Sequence, residues 1–187
     1  FNMFKKIGIA SKITSDLEDI KTATQLLLPG VGSFDKAMEK INTSGIREVL
    51  DQKVLIEGTP ILGICLGMQL LTNSSEEGTD KGLGYINASA KKFVFQDKKM
   101  KVPHMGWNLV EKSTSSLLTK DFEEESKFYF VHSYYVEVEN QENSILKTRY
   151  GLEFDSAIQH KNVYGAQFHP EKSHKFGMKL LDNFAKI

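Results

Sequence analysis

The stretch PILGICLGMQLL, residues 60 to 71, decides the fold. Its first half, PILGI, is a short continuous apolar run bounded by Gly58 and Pro60, which reads as a strand buried on both faces. Its second half opens LGMQLLTNSS, a helical pattern. No loop separates them, so the chain must pass from strand to helix in one tight turn around Gly63, Cys65 and Gly67. A strand feeding directly into a helix is half of a parallel βαβ unit.

The residues before it repeat the pattern. Phe1 to Lys6 reads as the tail of a helix closed near Gly8, IASKIT as a strand, Ser15 as the cap of SDLEDIKTA, and QLLLPG as a buried strand. SFDKAMEKI and IREVLDQKV then supply helical periodicity. From Gly84 onward FVF, WNLVE, FYFVHSYYVEV, SILKTRY, FDSAIQ and VYGAQF are strand candidates, with turn residues such as His160-Lys161-Asn162 between them. This second half is expected to be largely antiparallel. The final segment, SHKFGMKLLDNFAKI, sets Phe176, Leu180, Leu181, Phe184 and Ile187 at helical spacing, a terminal amphipathic helix packed back on the sheet. The fold class is therefore α/β, an open mixed sheet with a parallel core flanked by helices. With no repeat, low-complexity tract or proline-rich linker, residues 1–187 are expected to form one domain.

The chain has 187 residues, 40% hydrophobic and 26% charged, enough for a sizeable core. Lys plus Arg equal Asp plus Glu at 24 each, so no excess of positive charge attracts nucleic acid. No apolar run approaches the roughly 20 residues needed to span a bilayer, so no membrane association is expected. A single cysteine makes no internal disulfide, and FNMFKKIG lacks the apolar region of a secretion signal; a reducing, cytoplasmic location is the expectation.

That cysteine carries the chemistry. G-x-C-x-G between an apolar strand and an apolar helix is the thiol form of a nucleophile elbow: the flanking glycines let strand and helix approach while Cys65 protrudes. The helix starting near Leu66 favours thiolate over thiol through its unpaired N–H groups and dipole. The alternative is a structural cysteine packed as a small hydrophobe, and the two glycines favour the nucleophile.

A nucleophile needs a base. The five histidines, His104, His132, His160, His169 and His174, fit no metal-ligand spacing with the one cysteine, so no metal is expected. His169 lies in GAQFHPEKS, and Pro170 biases it to an extended conformation. With the period of two that extension brings, His169 and Glu171 point the same way, and a carboxylate beside an imidazole fixes its tautomer. Alone, H-P-E reads equally as a surface turn; joined to the elbow it completes a Cys65, His169, Glu171 triad. For an oxyanion, the backbone N–H of Leu66 and the glycine turn LLLPGVGSF with Gly30 and Gly32 are available. That turn could instead hold phosphate, but the Walker lysine and the longer G-x-G-x-x-G spacing are absent.

With these pieces in place the sequence resembles a class I, triad-type glutamine amidotransferase, most of all the glutaminase-subunit family of imidazole glycerol phosphate synthase. LPGVGSF, GICLGMQLL, PHMGWN, YFVHSYY and QFHPEKS occur in that family's order and cover most of the chain. The resemblance implies a flavodoxin-like sheet and no cofactor. It implies that Cys65 attacks the carboxamide carbon of glutamine, that His169 protonates the departing ammonia, and that water then releases glutamate from a thioester. Gln69, Glu77 and the residues Gly32, Leu66, Ser133 and Tyr134 match positions that contact glutamine. Each has a plainer reading: Gln69 and Glu77 as polar faces of a helix and a loop, Ser133 and Tyr134 as ordinary sheet residues. Trp107 and Lys172 match the partner face, although Trp107 could simply be core.

The family's partner is a (β/α)8-barrel cyclase, which takes the ammonia to make imidazole glycerol phosphate in histidine biosynthesis. A chain of this length holds the glutaminase and leaves no domain to use the ammonia, so a heterodimer is expected. Family chains normally begin with a strand and a small-residue turn ending in glycine-asparagine, which have no counterpart here, so a first strand is expected to be missing from this sequence. Two other readings remain: a paralogous glutaminase subunit feeding another synthase, such as one modifying surface sugars, and a non-catalytic scaffold that keeps the site as a docking surface.

Overall fold

The computed structural model describes residues 1–187. Its centre is a parallel trio. β1 (Leu26–Gly30) pairs with β2 (Ile61–Cys65), which pairs with β11 (Val163–Ala166), all in parallel register. The sheet continues antiparallel through β10 (Leu152–His160) and β8 (Tyr134–Val138) to β4 (Ala88–Lys92), which ends beside the short parallel β3 (Ser74–Ser75). β9 (Ser144–Tyr150) pairs with β10 and carries the two-residue β6 (Glu111–Lys112). A separate antiparallel ribbon joins β5 (His104–Leu109) to β7 (Lys127–His132). The parallel first half and antiparallel second half stand as the sequence implies.

Helices cover both faces, because β2 is apolar on both: Ile61, Leu62 and Ile64 are all buried. On one face α2 (Leu17–Thr22), α3 (Phe34–Thr43), α4 (Ile46–Asp51, prolonged by a π-turn over Gln52–Ile56) and α5 (Leu66–Leu70) enclose Phe34, Met38, Val54, Met68 and Leu71. On the other, α1 (Asn2–Lys6) and α6 (His174–Ala185) cover an aromatic core of Phe128, Phe130, Phe154, Phe168 and Phe184. In α6, Leu180, Leu181 and Phe184 face inward as their spacing requires and Phe176 is half-buried; the helix ends at Ala185, so Ile187, also half-buried, lies beyond it.

Several local expectations are corrected. IASKIT forms no strand, because no strand of this chain lies alongside to pair with it; Ile13 is exposed. The cap of α2 is Asp16, one residue beyond Ser15: its carboxylate accepts the N–H groups of Glu18 and Asp19. QLLLPG is only half-buried because β1 is the edge strand. LGMQLLTNSS stays helical only to Leu70, since the Thr72 hydroxyl donates to the Gln69 carbonyl at 2.8 Å and to Ser74 O, turning the chain into β3. FVF follows β4 instead of forming a strand, with Phe93 packed among the rings of Phe95, Tyr135 and Phe154. FYFVHSYYVEV breaks at Ser133, where the chain leaves the ribbon for the main sheet.

Candidate active site

Cys65 ends β2 and begins α5 with φ 55° and ψ −113°, a conformation that L-residues rarely adopt and that costs about 1–3 kcal/mol. The glycines around it permit this. A Cβ on Gly63 would lie 2.5 Å from the Gly67 carbonyl oxygen, one on Gly30 would lie 2.7 Å from the Gly67 nitrogen, and one on Gly67 would strike the Leu28 carbonyl. β1, β2 and α5 thus touch backbone to backbone, and Gly30 stands in register with Cys65.

His169 follows β11 in an extended conformation, with its N–H donating to Tyr129 O at 2.9 Å. The Ser173 hydroxyl donates to His169 O at 2.6 Å and accepts the Tyr129 N–H at 3.0 Å, which ties this segment to β7. Nδ1 of His169 lies 2.7 Å from Glu171 Oε1, so the two side chains do face each other. The reason differs from the expected one. Pro170 starts a single 3-10 turn over Pro170–Lys172, and this turn, instead of continued extension, brings Glu171 beneath the ring.

The pKa of the imidazole is raised to about 9, first by its interaction with the neighbouring Cys65 side chain and next by the hydrogen bond to Glu171, against the opposing effect of burial. Nε2 is buried and makes no hydrogen bond of good geometry. Burial works to raise the pKa of Glu171, but the hydrogen bonds from His169 and from its own backbone outweigh it, and the carboxyl sits below its ordinary range.

The residues proposed for glutamine fall into two groups. Gln69 projects from α5; its Nε2 donates to Tyr134 O at 3.3 Å and to Gln167 Oε1 at 3.2 Å. Gln167 in turn directs Nε2 at Cys65 Sγ, 3.9 Å away. This joins Gln69 and the Ser133–Tyr134 bend to the nucleophile. Opposite, Gly32 sits in the exposed turn after β1 with φ +99°, and Glu77 accepts the Phe34 N–H at 3.0 Å, fixing its loop to the start of α3 beside that turn. Leu66 is the first residue of α5, whose leading N–H groups have no partner within the helix.

Trp107 is not core. It is exposed on β5 beside Met105 and Leu109, stacks on His174 at 5.7 Å and meets Tyr129 edge-on at 6.3 Å. Lys172 lies over the Tyr129 ring, its Nζ 5.6 Å from the ring centre. Gln167 and the buried pair His104 and His132 escaped the sequence reading. For Gln167 a signal existed: it precedes His169 by only two residues, just after β11. No group of three or more His, Cys, Asp or Glu side chains is gathered to hold a metal ion. No helix is long and apolar enough to cross a membrane.

A strained cysteine, a protonated imidazole with its carboxylate, and unpaired amides beside them make an arrangement for nucleophilic attack on a carbonyl carbon. Comparison with known proteins agrees with that chemistry. Residues 3–187 match the family model "Glutamine amidotransferase class-I". The chain is 56% identical over 185 residues to imidazole glycerol phosphate synthase subunit HisH 2 of Methanococcus maripaludis, covering 99% of this chain and 91% of that protein. It is 45% identical over 188 residues to subunit HisH of Bdellovibrio bacteriovorus, covering 100% of this chain and 92% of that one. In fold it is similar to the glutaminase domain of Trypanosoma brucei CTPS solved with acivicin, with a TM-score of 0.63 at 15% identity over 98% of this chain and 84% of that one. A glutamine amidotransferase of Thermotoga maritima aligns with a TM-score of 0.61 at 16% identity over 99% and 75% of the two chains. The chain belongs to the class I glutamine amidotransferases, and within them to the HisH subunits of imidazole glycerol phosphate synthase.

Proposed function

We propose that this chain is the glutaminase subunit of imidazole glycerol phosphate synthase, with residues 1–187 acting as one amidotransferase domain in the cytoplasm. Sγ of Cys65, as the thiolate paired with the protonated His169 ring, attacks the carboxamide carbon of glutamine, and the tetrahedral oxyanion is held by the Leu66 amide and the Gly30–Gly32 turn. As the C–N bond breaks, His169 gives its proton to the leaving nitrogen, and ammonia departs from a glutamyl thioester. His169 then takes a proton from water, which attacks the thioester; glutamate leaves and Cys65 is restored. Glu171 orients the ring throughout. Gln69, Glu77, Ser133 and Tyr134 hold the amino-acid end of glutamine, and no cofactor takes part.

The observation that carries this reading is the His169 imidazole, 2.7 Å from Glu171 and with its pKa raised to about 9 beside the Cys65 sulfur. The ammonia goes to a cyclase subunit, for which the reading takes a (β/α)8 barrel docked over Trp107 and Lys172. The test is glutamate release by the full-length protein with its cyclase, compared with the same complex carrying Cys65→Ala. Undiminished turnover in the variant would overturn the mechanism. Full activity of the chain without any partner would instead mark an independent hydrolase.

A further inference from the structure

Beneath the site runs a string of hydrogen bonds whose direction is set by one atom. His132 Nδ1 lies 2.7 Å from the Tyr134 carbonyl oxygen, which can only accept, so the proton is on Nδ1 and Nε2 is left bare. That bare Nε2 lies 2.9 Å from His104 Nδ1, which must therefore be the donor. His104 Nε2 is then an acceptor, and Asn108 Nδ2 meets it at 3.3 Å. The Asn108 amide has its own orientation fixed, since Oδ1 accepts the Leu109 N–H at 2.9 Å and Nδ2 also donates to Arg149 O at 3.0 Å. Only one placement of protons satisfies the whole string, with both rings uncharged. Burial enforces it, lowering the pKa of His104 to about 4 and of His132 to about 3.

The same carbonyl also sets the far side. Because Tyr134 O can only accept, the Gln69 atom 3.3 Å from it is the amide nitrogen. The second hydrogen of that nitrogen goes to Gln167 Oε1, which turns the Gln167 N–H group toward Cys65 Sγ. Gln69 Oε1 has no donor within the protein and is the atom left over.

We propose that His132, backed by His104, is a positioning residue for glutamine hydrolysis: it holds the Tyr134 carbonyl so that Gln69 presents Oε1 to the N–H groups of the substrate. The proposal rests on the glutaminase reading above. It assigns a role to two buried histidines outside the triad, and it explains why an aromatic core contains them. Phe93, Phe130 and Phe154 surround His132 with ring centres 5.3 to 5.6 Å away, a place where phenylalanine would fit without a polar group.

The test uses that environment, in the full complex with its cyclase. His132→Phe keeps the ring packing and removes the donor; His132→Asn loses packing but keeps an N–H near the position of Nδ1. His132→Phe is expected to be at least as thermally stable as His132→Asn yet to raise KM for glutamine about tenfold. His132→Asn is expected to recover a KM close to that of the parent protein. A purely structural role would put stability and kinetics in the same order. An unchanged KM in His132→Phe, or equal impairment in both variants, overturns the proposal. Nitrogen-15 spectra of histidine-labelled parent protein decide it independently of any variant: both rings are expected as Nδ1–H tautomers, and an Nε2–H on His132 would overturn it. A parent complex that releases no glutamate contradicts the glutaminase reading instead, while the spectra still judge the string.

Discussion

A Cβ placed on Gly67 would strike the carbonyl oxygen of Leu28. The helix after the nucleophile is therefore seated directly on the neighbouring strand, with no room for a methyl group. Gly67→Ala is expected to destabilise the protein by about 3 kcal/mol or more, because backbone on both sides must move. Gly32→Ala gives the contrast: a Cβ there meets nothing within 4 Å, but φ is +99°. It should cost about 1–2 kcal/mol of backbone strain and act mainly on turnover through the displaced turn. Denaturant titration beside a glutamate-release assay separates the two, and equal stability losses would contradict this account.

Cys65→Ala is expected to lower glutamine hydrolysis at least about 10³-fold, and Glu171→Gln at least about tenfold, since the ring keeps its place but loses its anionic partner. Either change should also bring the pKa of His169 down from about 9, because both groups raise it. NMR titration of the His169 ring reads this directly, and a pKa unmoved in Cys65→Ala would show that the two side chains do not interact.

The raised pKa has a consequence for stability, with a definite sign. The folded protein binds the His169 proton more tightly than the unfolded chain, whose value is near 6.5. Its contribution is complete below that pH and is lost as pH rises through about 9. The melting temperature of the parent protein should fall across this window more steeply than that of Cys65→Ala, and kcat should fall above pH 9 as the proton donor is lost. Parallel stability curves would contradict the assignment.

Trp107 lies 44% exposed between two further exposed apolar residues on β5, Met105 and Leu109. If this face receives the cyclase, Trp107→Ala should weaken complex formation about tenfold or more, as loss of a central aromatic anchor does. Calorimetric titration with the cyclase measures it. Unaltered affinity would move the interface elsewhere.

The sequence exposed what depends on near neighbours. PILGIC followed by LGMQ can fold only as strand, turn and helix, and the Cys65 strain follows from Gly63 and Gly67 two residues to either side. The Glu171 contact with His169 was legible for the same reason, although a 3-10 turn produces it. Contacts across the sheet were not. Gln167 reaches Gln69 from the bend after β11, 98 positions away, and His104 meets His132 only because the β5–β7 register aligns them. IASKIT failed for a different reason: its composition suits a strand, but a strand is made by its neighbour, and pattern alone does not show whether one is present.

The edge position gives β1 a further meaning. Its outer side is a row of amide and carbonyl groups with no ladder partner, flanked by exposed Leu27 and Val31. An open row of this kind accepts any extended peptide of matching length. Whatever extended chain pairs with this margin would therefore bear directly on the turn that carries Gly32, which follows β1 without a break.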